Sequence, residues 1–109
     1  MICINIARDY SKIPGGRYVE DGPYSGQDFR EKLLLPKFQK AKQQGETLQV
    51  NLDGGYGYGS SFLDEAFGGL ARVLKDPNIM KIDIISDEEP ELISQIRKYI
   101  EQGLKGNAK

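Results

Sequence analysis

The chain has 109 residues, 39% of them hydrophobic and 28% charged, which is the size and composition of one globular domain. We therefore predict a single domain over residues 1–109 and exclude an enzyme with a cleft between two domains. The 15 basic and 16 acidic side chains give a formal net charge of -1, so we expect neither a dedicated nucleic-acid binder nor a binder of anionic membranes.

The chain has no histidine and one cysteine, Cys3. Without histidine it cannot form a Ser-His or Cys-His nucleophile pair, a histidine proton shuttle or a zinc site with a histidine ligand. One cysteine allows no disulfide within the chain, which fits a reducing compartment, and its place in a strand pattern predicts a buried side chain. No apolar run is long enough to span a bilayer. We expect a cytoplasmic protein that needs no metal or cofactor.

The first predicted strand is the segment in which Ile2, Ile4 and Ile6 alternate with other residues. The turn sequence SKIPGG follows. We interpret residues 17–19 as a short antiparallel strand that returns beside the first one.

Ser25 followed by Asp28 is typical of a helix N-cap, and apolar residues at helical spacing come after it. A long helix is therefore predicted to begin near Ser25. Pro36 lies inside this helix, and it predicts a kink near Leu35, because proline removes one helical hydrogen bond and clashes with the preceding turn.

The second predicted strand covers residues 48–52 and leads into the loop GGYGYGS. At the end of this loop we interpret Ser61 as the N-cap of a second helix, whose apolar residues recur every three or four positions. Gly68 and Gly69 in its middle reduce its helical propensity, which indicates close packing against another backbone.

A third strand is predicted over residues 80–85, and a last helix follows with Pro90 in its first turn. Strands that alternate with helices are typical of a parallel sheet with right-handed crossovers. Because the strands alternate apolar and polar residues, one face of the sheet is expected to be covered and the other polar. The predicted fold class is α/β, with a mostly parallel sheet and three helices packed mainly on one face.

The candidate site is the loop between the second strand and the second helix. Asp53 ends the strand, and Ser60 and Ser61 open a helix at which exposed amides favour an anion. The candidate binding residues are Asp53, Gly55, Tyr56, Gly57, Tyr58 and Gly59. Their spacing does not match GxGxxG, and no lysine follows the glycines as a P-loop requires, so nucleotide binding has little support from motifs.

Ser60 and Ser61 are candidate phosphate acceptors. A phosphoserine adds close to two negative charges, which the helix amides accept and which Asp64 and Glu65 oppose. The charge is predicted to act as a switch, because it weakens an interface packed over the loop. The alternative is that Ser61 only caps the helix. In that case Ser60 is more available for phosphorylation, and the choice between the two serines stays open.

Four further side chains have two interpretations each. Tyr56 and Tyr58 are candidate anchors for a protein or a base, or they pack over the sheet edge. Arg17 and Arg30 are candidate anion contacts, with ion pairing or solvation as the alternative. Catalysis is not expected. Asp53 and Ser60 are the only candidates for a general base and a nucleophile, and neither a histidine nor a lysine in the loop accompanies them.

Three segments resemble a STAS-like family of unknown function, namely INIARDYSKIPGGRY, DGPYSGQDFREKLLLP and YGYGSSFLDEAFGGL. The last segment also resembles the phosphorylatable segment of STAS anti-sigma-factor antagonists, in which paired serines follow an Asp and a partner kinase phosphorylates one of them. The resemblance implies a STAS-like fold, Ser60 or Ser61 as the acceptor and Asp53 as the strand-end acid. Gly59 stands where the antagonists have the Asp before the serines.

We thus predict a non-catalytic bacterial regulatory domain that binds another protein, such as a histidine-kinase-like ATPase, around the GYGYGSS loop. Two alternatives stay open. One is a small-ligand or nucleotide sensor that uses the loop and the helix N-terminus, and the other is an immunity or defence-associated protein that blocks a partner.

Overall fold

The computed structural model describes residues 1–106. The strands are β1 (Ile2–Asn5), β2 (Leu48–Asn51) and β3 (Asp83–Ile85), and the α-helices are α1 (Ile6–Asp9), α2 (Gly26–Phe29), α3 (Leu35–Gln44), α4 (Ser60–Leu63), α5 (Gly69–Leu74) and α6 (Glu91–Leu104). Two π-helical turns, Arg30–Leu34 and Asp64–Gly68, connect α2 to α3 and α4 to α5. They create two longer helices, which we name helix A (26–44) and helix B (60–74). The 3₁₀ turns are Val19–Asp21 and Pro77–Lys81.

The three strands form one parallel sheet in the order β1-β2-β3. Ile4, Val50 and Ile84 lie side by side in this register and are buried beneath the helices. On the opposite face the amide of Gln49 donates to the carboxylate of Asp83 at 3.1 Å. The predicted α/β class, with helices on one face and a polar second face, is confirmed.

The first strand is shorter than predicted, and its cysteine faces the other way. Cys3 is exposed on the polar face, because it alternates with the buried Ile4. The prediction of a buried Cys3 was wrong. Ile6 is buried but begins α1, because the Asn5 side chain accepts the amide of Arg8 at 2.9 Å and caps that helix.

The predicted strand at residues 17–19 is absent from the part of the chain that the structure describes. The carboxylate of Asp21 accepts the backbone amides of Arg17 at 3.2 Å and Tyr18 at 2.9 Å. Those amides are then not available to a ladder, and Tyr18 leads into a 3₁₀ turn instead. The third strand is also shorter than predicted, because Asp76 caps the 3₁₀ turn that occupies residues 77–81.

Helix A begins as predicted, with the Ser25 hydroxyl accepting the amide of Asp28 at 3.1 Å. The π-helical turn ends at Leu34, directly before the segment that has Pro36 in its first turn. A widened turn accommodates Pro36, because a proline has no N–H to donate and its ring crowds the preceding turn. The irregularity predicted near Leu35 therefore takes the form of a widened turn.

Close packing at the mid-helix glycines of helix B is confirmed. A Cβ on Gly68 would lie 3.3 Å from the carbonyl oxygen of Tyr99 in α6 and 2.5 Å from a carboxylate oxygen of Asp64, and a Cβ on Gly69 would collide with the guanidinium of Arg30. The glycines therefore allow both α6 and an arginine of helix A to approach helix B. No helix within residues 1–106 has the length and apolar character of a membrane span.

Candidate functional site

The strand-end acid Asp53 connects two loops at the carboxyl end of the sheet. Its carboxylate accepts the backbone amides of Asp87 at 3.2 Å and Glu88 at 3.0 Å, in the loop that follows β3. In return, the carboxylate of Glu88 accepts the amide of Gly54 at 3.0 Å. The hydrogen bonds of the Asp53 carboxylate thus go to backbone amides and fix the base of the loop, a role that no local sequence pattern indicated.

The glycine loop, which we define as residues 54–59, turns sharply at two positions. Gly54 has φ 98° and Gly57 has φ 135°, conformations that residues with a Cβ rarely adopt. Between them, the amide of Tyr56 donates to the carbonyl oxygen of Lys12 at 2.9 Å. This bond holds the loop against the segment that follows α1.

The two tyrosines of the glycine loop have different environments. Tyr58 is partly buried, its ring lies 6.1 Å from that of Phe62, and its hydroxyl donates to the carbonyl oxygen of Leu52 at 2.7 Å. Burial, with the nearby charges of Asp53 and Glu88, raises the pKa of Tyr58 to about 12. Tyr56 is 82% exposed. Tyr58 therefore packs into the fold, whereas Tyr56 projects from it.

Ser60 and Ser61 are exposed and form the first two positions of helix B. The N-cap is Gly59, whose carbonyl oxygen accepts the amide of Leu63 at 3.2 Å. The prediction that Ser61 caps the helix was wrong, because the N-cap is Gly59 and the helix begins two residues earlier than predicted. The broader prediction is confirmed: Asp53 follows a strand, and both hydroxyls open the next helix within reach of water.

Arg17 and Arg30 meet at a pair of adjacent acids in helix B. Arg30 and Glu65 are both 8% exposed, and Arg30 Nη1 lies 2.7 Å from both the carboxylate and the carbonyl oxygen of Glu65. Arg17 Nη1 lies 2.8 Å from Asp64 Oδ2 and 3.3 Å from Glu65 Oε1. These carboxylates, the one on Asp64 foremost, raise the pKa of Arg17. Of the two interpretations of Arg17 and Arg30, the structure shows ion pairing within the chain.

The sequence reasoning missed two features near this site. Arg72 contacts Asp64 Oδ1 at 3.3 Å and completes the ion-pair network. Ile13, which follows Lys12 in the segment bonded to the glycine loop, is 63% exposed. The sequence did contain a signal for the exposure of Ile13, namely an aliphatic residue within the turn sequence SKIPGG.

A cavity of about 310 Å³ lies at the other end of the strands. Its walls come from the end of helix A, the start of β2 and the segment before β3, and include Phe38, Lys42, Leu48 and Ile82. None of the residues that line it belongs to the glycine loop. Within residues 1–106, no group of three or more Cys, Asp or Glu side chains is placed to hold a metal ion.

Comparison with known families identifies a family for this chain. A family model described as a STAS-like domain of unknown function (DUF4325) matches residues 25–90, more than half of the chain. The matched region runs from the N-cap of helix A through the glycine loop and helix B to the residue before α6. No curated protein and no solved structure shows significant similarity. The chain belongs to the family of STAS-like domains of unknown function.

Proposed function

We propose that this STAS-like domain is a non-catalytic regulatory module that binds another protein through the glycine loop and the start of helix B. The observation that carries the proposal is the 82% exposure of Tyr56. Exposed tyrosines on a fixed backbone are common anchors of protein interfaces, because they bury a large area and lose few rotamers.

The backbone around Tyr56 is held at three points, which supports this role. The amide of Gly54 is bonded to Glu88, the amide of Tyr56 to Lys12, and the side chain of Tyr58 to the carbonyl of Leu52. A loop that is already ordered loses less conformational entropy on binding than a mobile one. Ile13, which follows the bonded Lys12 in the chain, is a second exposed apolar side chain in this part of the molecule.

Phosphorylation of Ser60 or Ser61 is the proposed switch of this surface. Both residues are exposed and close in sequence to Tyr56, so a phosphate there would add charge at the edge of the contact. A histidine-kinase-like ATPase that binds the loop and modifies a serine fits this scheme.

The exposed thiol of Cys3 supports a reducing, cytoplasmic compartment. The 310 Å³ cavity does not favour the sensor alternative, because it is remote from the glycine loop.

The test is a footprint of a bound partner. Proteins are captured from the native cell with the full chain, and the partner is purified. Amide hydrogen exchange of the chain is then compared with and without that partner. The proposal predicts slower exchange at residues 54–61. Protection confined to residues 45–48, 78, 81 and 82, which line the cavity, would contradict it.

A further inference from the structure

The cavity at the amino end of the strands has an apolar floor and a volume of about 310 Å³. Four buried side chains form the floor, each at most 5% exposed, namely Phe38, Ala41, Leu48 and Ile82. They come from helix A, from the first residue of β2 and from the residue before β3. This volume is at the lower end of the range for small-molecule sites, about 300 to 1,000 Å³, so the cavity suits a compact ligand.

The rim of this cavity carries one cation that is not neutralised by an acid. The charged residues at the rim are Lys42, Glu46 and Lys81, and all three are exposed. Lys42 is paired with Asp76, and Glu46 is paired with the amino group of Met1. Lys81 forms no ion pair with any acid of residues 1–106. The rim therefore keeps one positive charge, which favours an anion.

The carboxyl end of helix A also borders the cavity, and free carbonyl oxygens there would favour a cation instead. The carbonyl oxygen of Ala41, however, accepts the amide of Glu46 at 2.8 Å. That of Lys42 accepts the amide of Gly45 at 3.2 Å, and Gly45 can close the helix in this way because its φ is 66°. Because these two carbonyls are satisfied within the chain, the ammonium group of Lys81 is the strongest unbalanced charge at the rim.

We propose that this cavity binds a small amphipathic carboxylate, with its apolar body on the floor and its carboxylate at Lys81. The apolar body would remove the floor from water, which stabilises the complex. The ammonium of a lysine is a compact single charge, which one carboxylate neutralises. A phosphate dianion would leave a second charge beside the apolar floor. The cavity is separate from the glycine loop, so the inference goes beyond the proposed function and does not depend on it.

The test titrates the full chain with hexanoate and follows the backbone amides by two-dimensional NMR. Two further probes each lack one half of the proposed chemistry. Hexanol has the same hydrocarbon chain without the charge, and acetate has the carboxylate without the chain. Hexanoate should shift the amides of residues 45–48, 78, 81 and 82 with a dissociation constant of about 1 mM. Hexanol and acetate should each bind at least about fivefold more weakly.

Three variants locate the ligand in the cavity. Lys81→Gln should weaken hexanoate binding about fivefold and leave hexanol binding unchanged, because only the charge is removed. Lys40→Gln is the matched control, since Lys40 is an exposed lysine of helix A that does not line the cavity. This control should bind hexanoate as wild type does. Thr47→Phe should abolish hexanoate binding, because Thr47 lines the cavity and an aromatic ring there would fill it.

Several results would overturn the inference. Hexanoate might shift no amide of the lining residues or only those of the glycine loop, hexanol or acetate could bind as tightly as hexanoate, or Lys81→Gln and Lys40→Gln could bind it equally well. If Thr47→Phe does not fold, the two lysine variants still decide, because each changes an exposed side chain. Failure here leaves the proposed binding surface standing, and a failed footprint at residues 54–61 leaves the cavity site standing.

Discussion

The interface between helix A and helix B and the glycine loop depend on glycine for opposite reasons. In the interface, a Cβ on Gly26 would lie 2.5 Å from the carbonyl oxygen of Phe62, so the side-chain position must be empty. In the loop, Gly57 has nothing within 4 Å of that position, but its φ of 135° excludes most other residues. The interface needs glycine because the two helices lie too close together for a side chain. The loop needs glycine because its backbone adopts a positive φ.

The polar groups of the two regions differ in the same way. Arg30 and Glu65 are buried between the helices, where each requires its partner. Tyr56 in the glycine loop is bonded through its backbone, and its side chain is exposed. We therefore expect substitutions in the helix interface to affect stability, and substitution of Tyr56 to affect the proposed binding instead. Each statement can be tested separately.

The largest expected effect is on the helix interface. Arg30→Met removes the cation nearest to the buried carboxylate of Glu65, at 2.7 Å, and leaves it Arg17 at 3.3 Å. The variant should lower the free energy of unfolding by about 2 kcal/mol, measured by urea denaturation. Arg72→Met is the matched control, because Arg72 contacts Asp64 with its side chain 42% exposed. Its loss should cost under about 1 kcal/mol. Equal losses in the two variants would show that burial does not distinguish these ion pairs.

A smaller effect is expected in the loop at alkaline pH. The pKa of Tyr58 is raised to about 12 in the folded protein, while a tyrosine in the unfolded chain titrates near pH 10. The folded state thus keeps the proton longer, so this contribution to stability is complete below pH 10 and is lost as the pH rises from about 10 to 12. Tyr58→Phe should show a shallower decline of thermal stability over this interval. Parallel declines in wild type and variant would contradict the assigned environment of Tyr58.

Local sequence patterns predicted the elements that depend on local chemistry. The alternation in residues 48–52 identified β2, the Ser25 and Asp28 pair identified the start of helix A, and the order of elements implied the parallel sheet. The patterns failed where one side chain redirected the backbone. Asp21 takes the amides that a strand at residues 17–19 would use, and Asn5 caps α1 where the first strand was expected to continue.

The location of the candidate site in the fold could be predicted from the sequence, but its long-range contacts could not. Asp53, Tyr56 and the serines follow one another in the chain, so a loop between strand and helix already placed them together. Arg30 and Glu65 are 35 residues apart in the sequence. The Glu88 amide and the Asp53 carboxylate that accepts its hydrogen bond are also 35 residues apart. Hydrophobic periodicity carries no information about such pairs, because it reports the face of an element and not its partner.

The division between a stabilising interface and a loop proposed to bind a partner is tested most directly at Tyr56. The affinity of the purified partner for Tyr56→Ala is measured by calorimetry beside the Tm of the variant, with Val73→Ala as the control, since Val73 is 59% exposed on helix B. We predict an affinity at least about tenfold weaker for Tyr56→Ala, a Tm within about 2 °C of wild type, and no change in affinity for Val73→Ala. Unchanged affinity, or a loss of affinity accompanied by a large fall in Tm, would contradict the account.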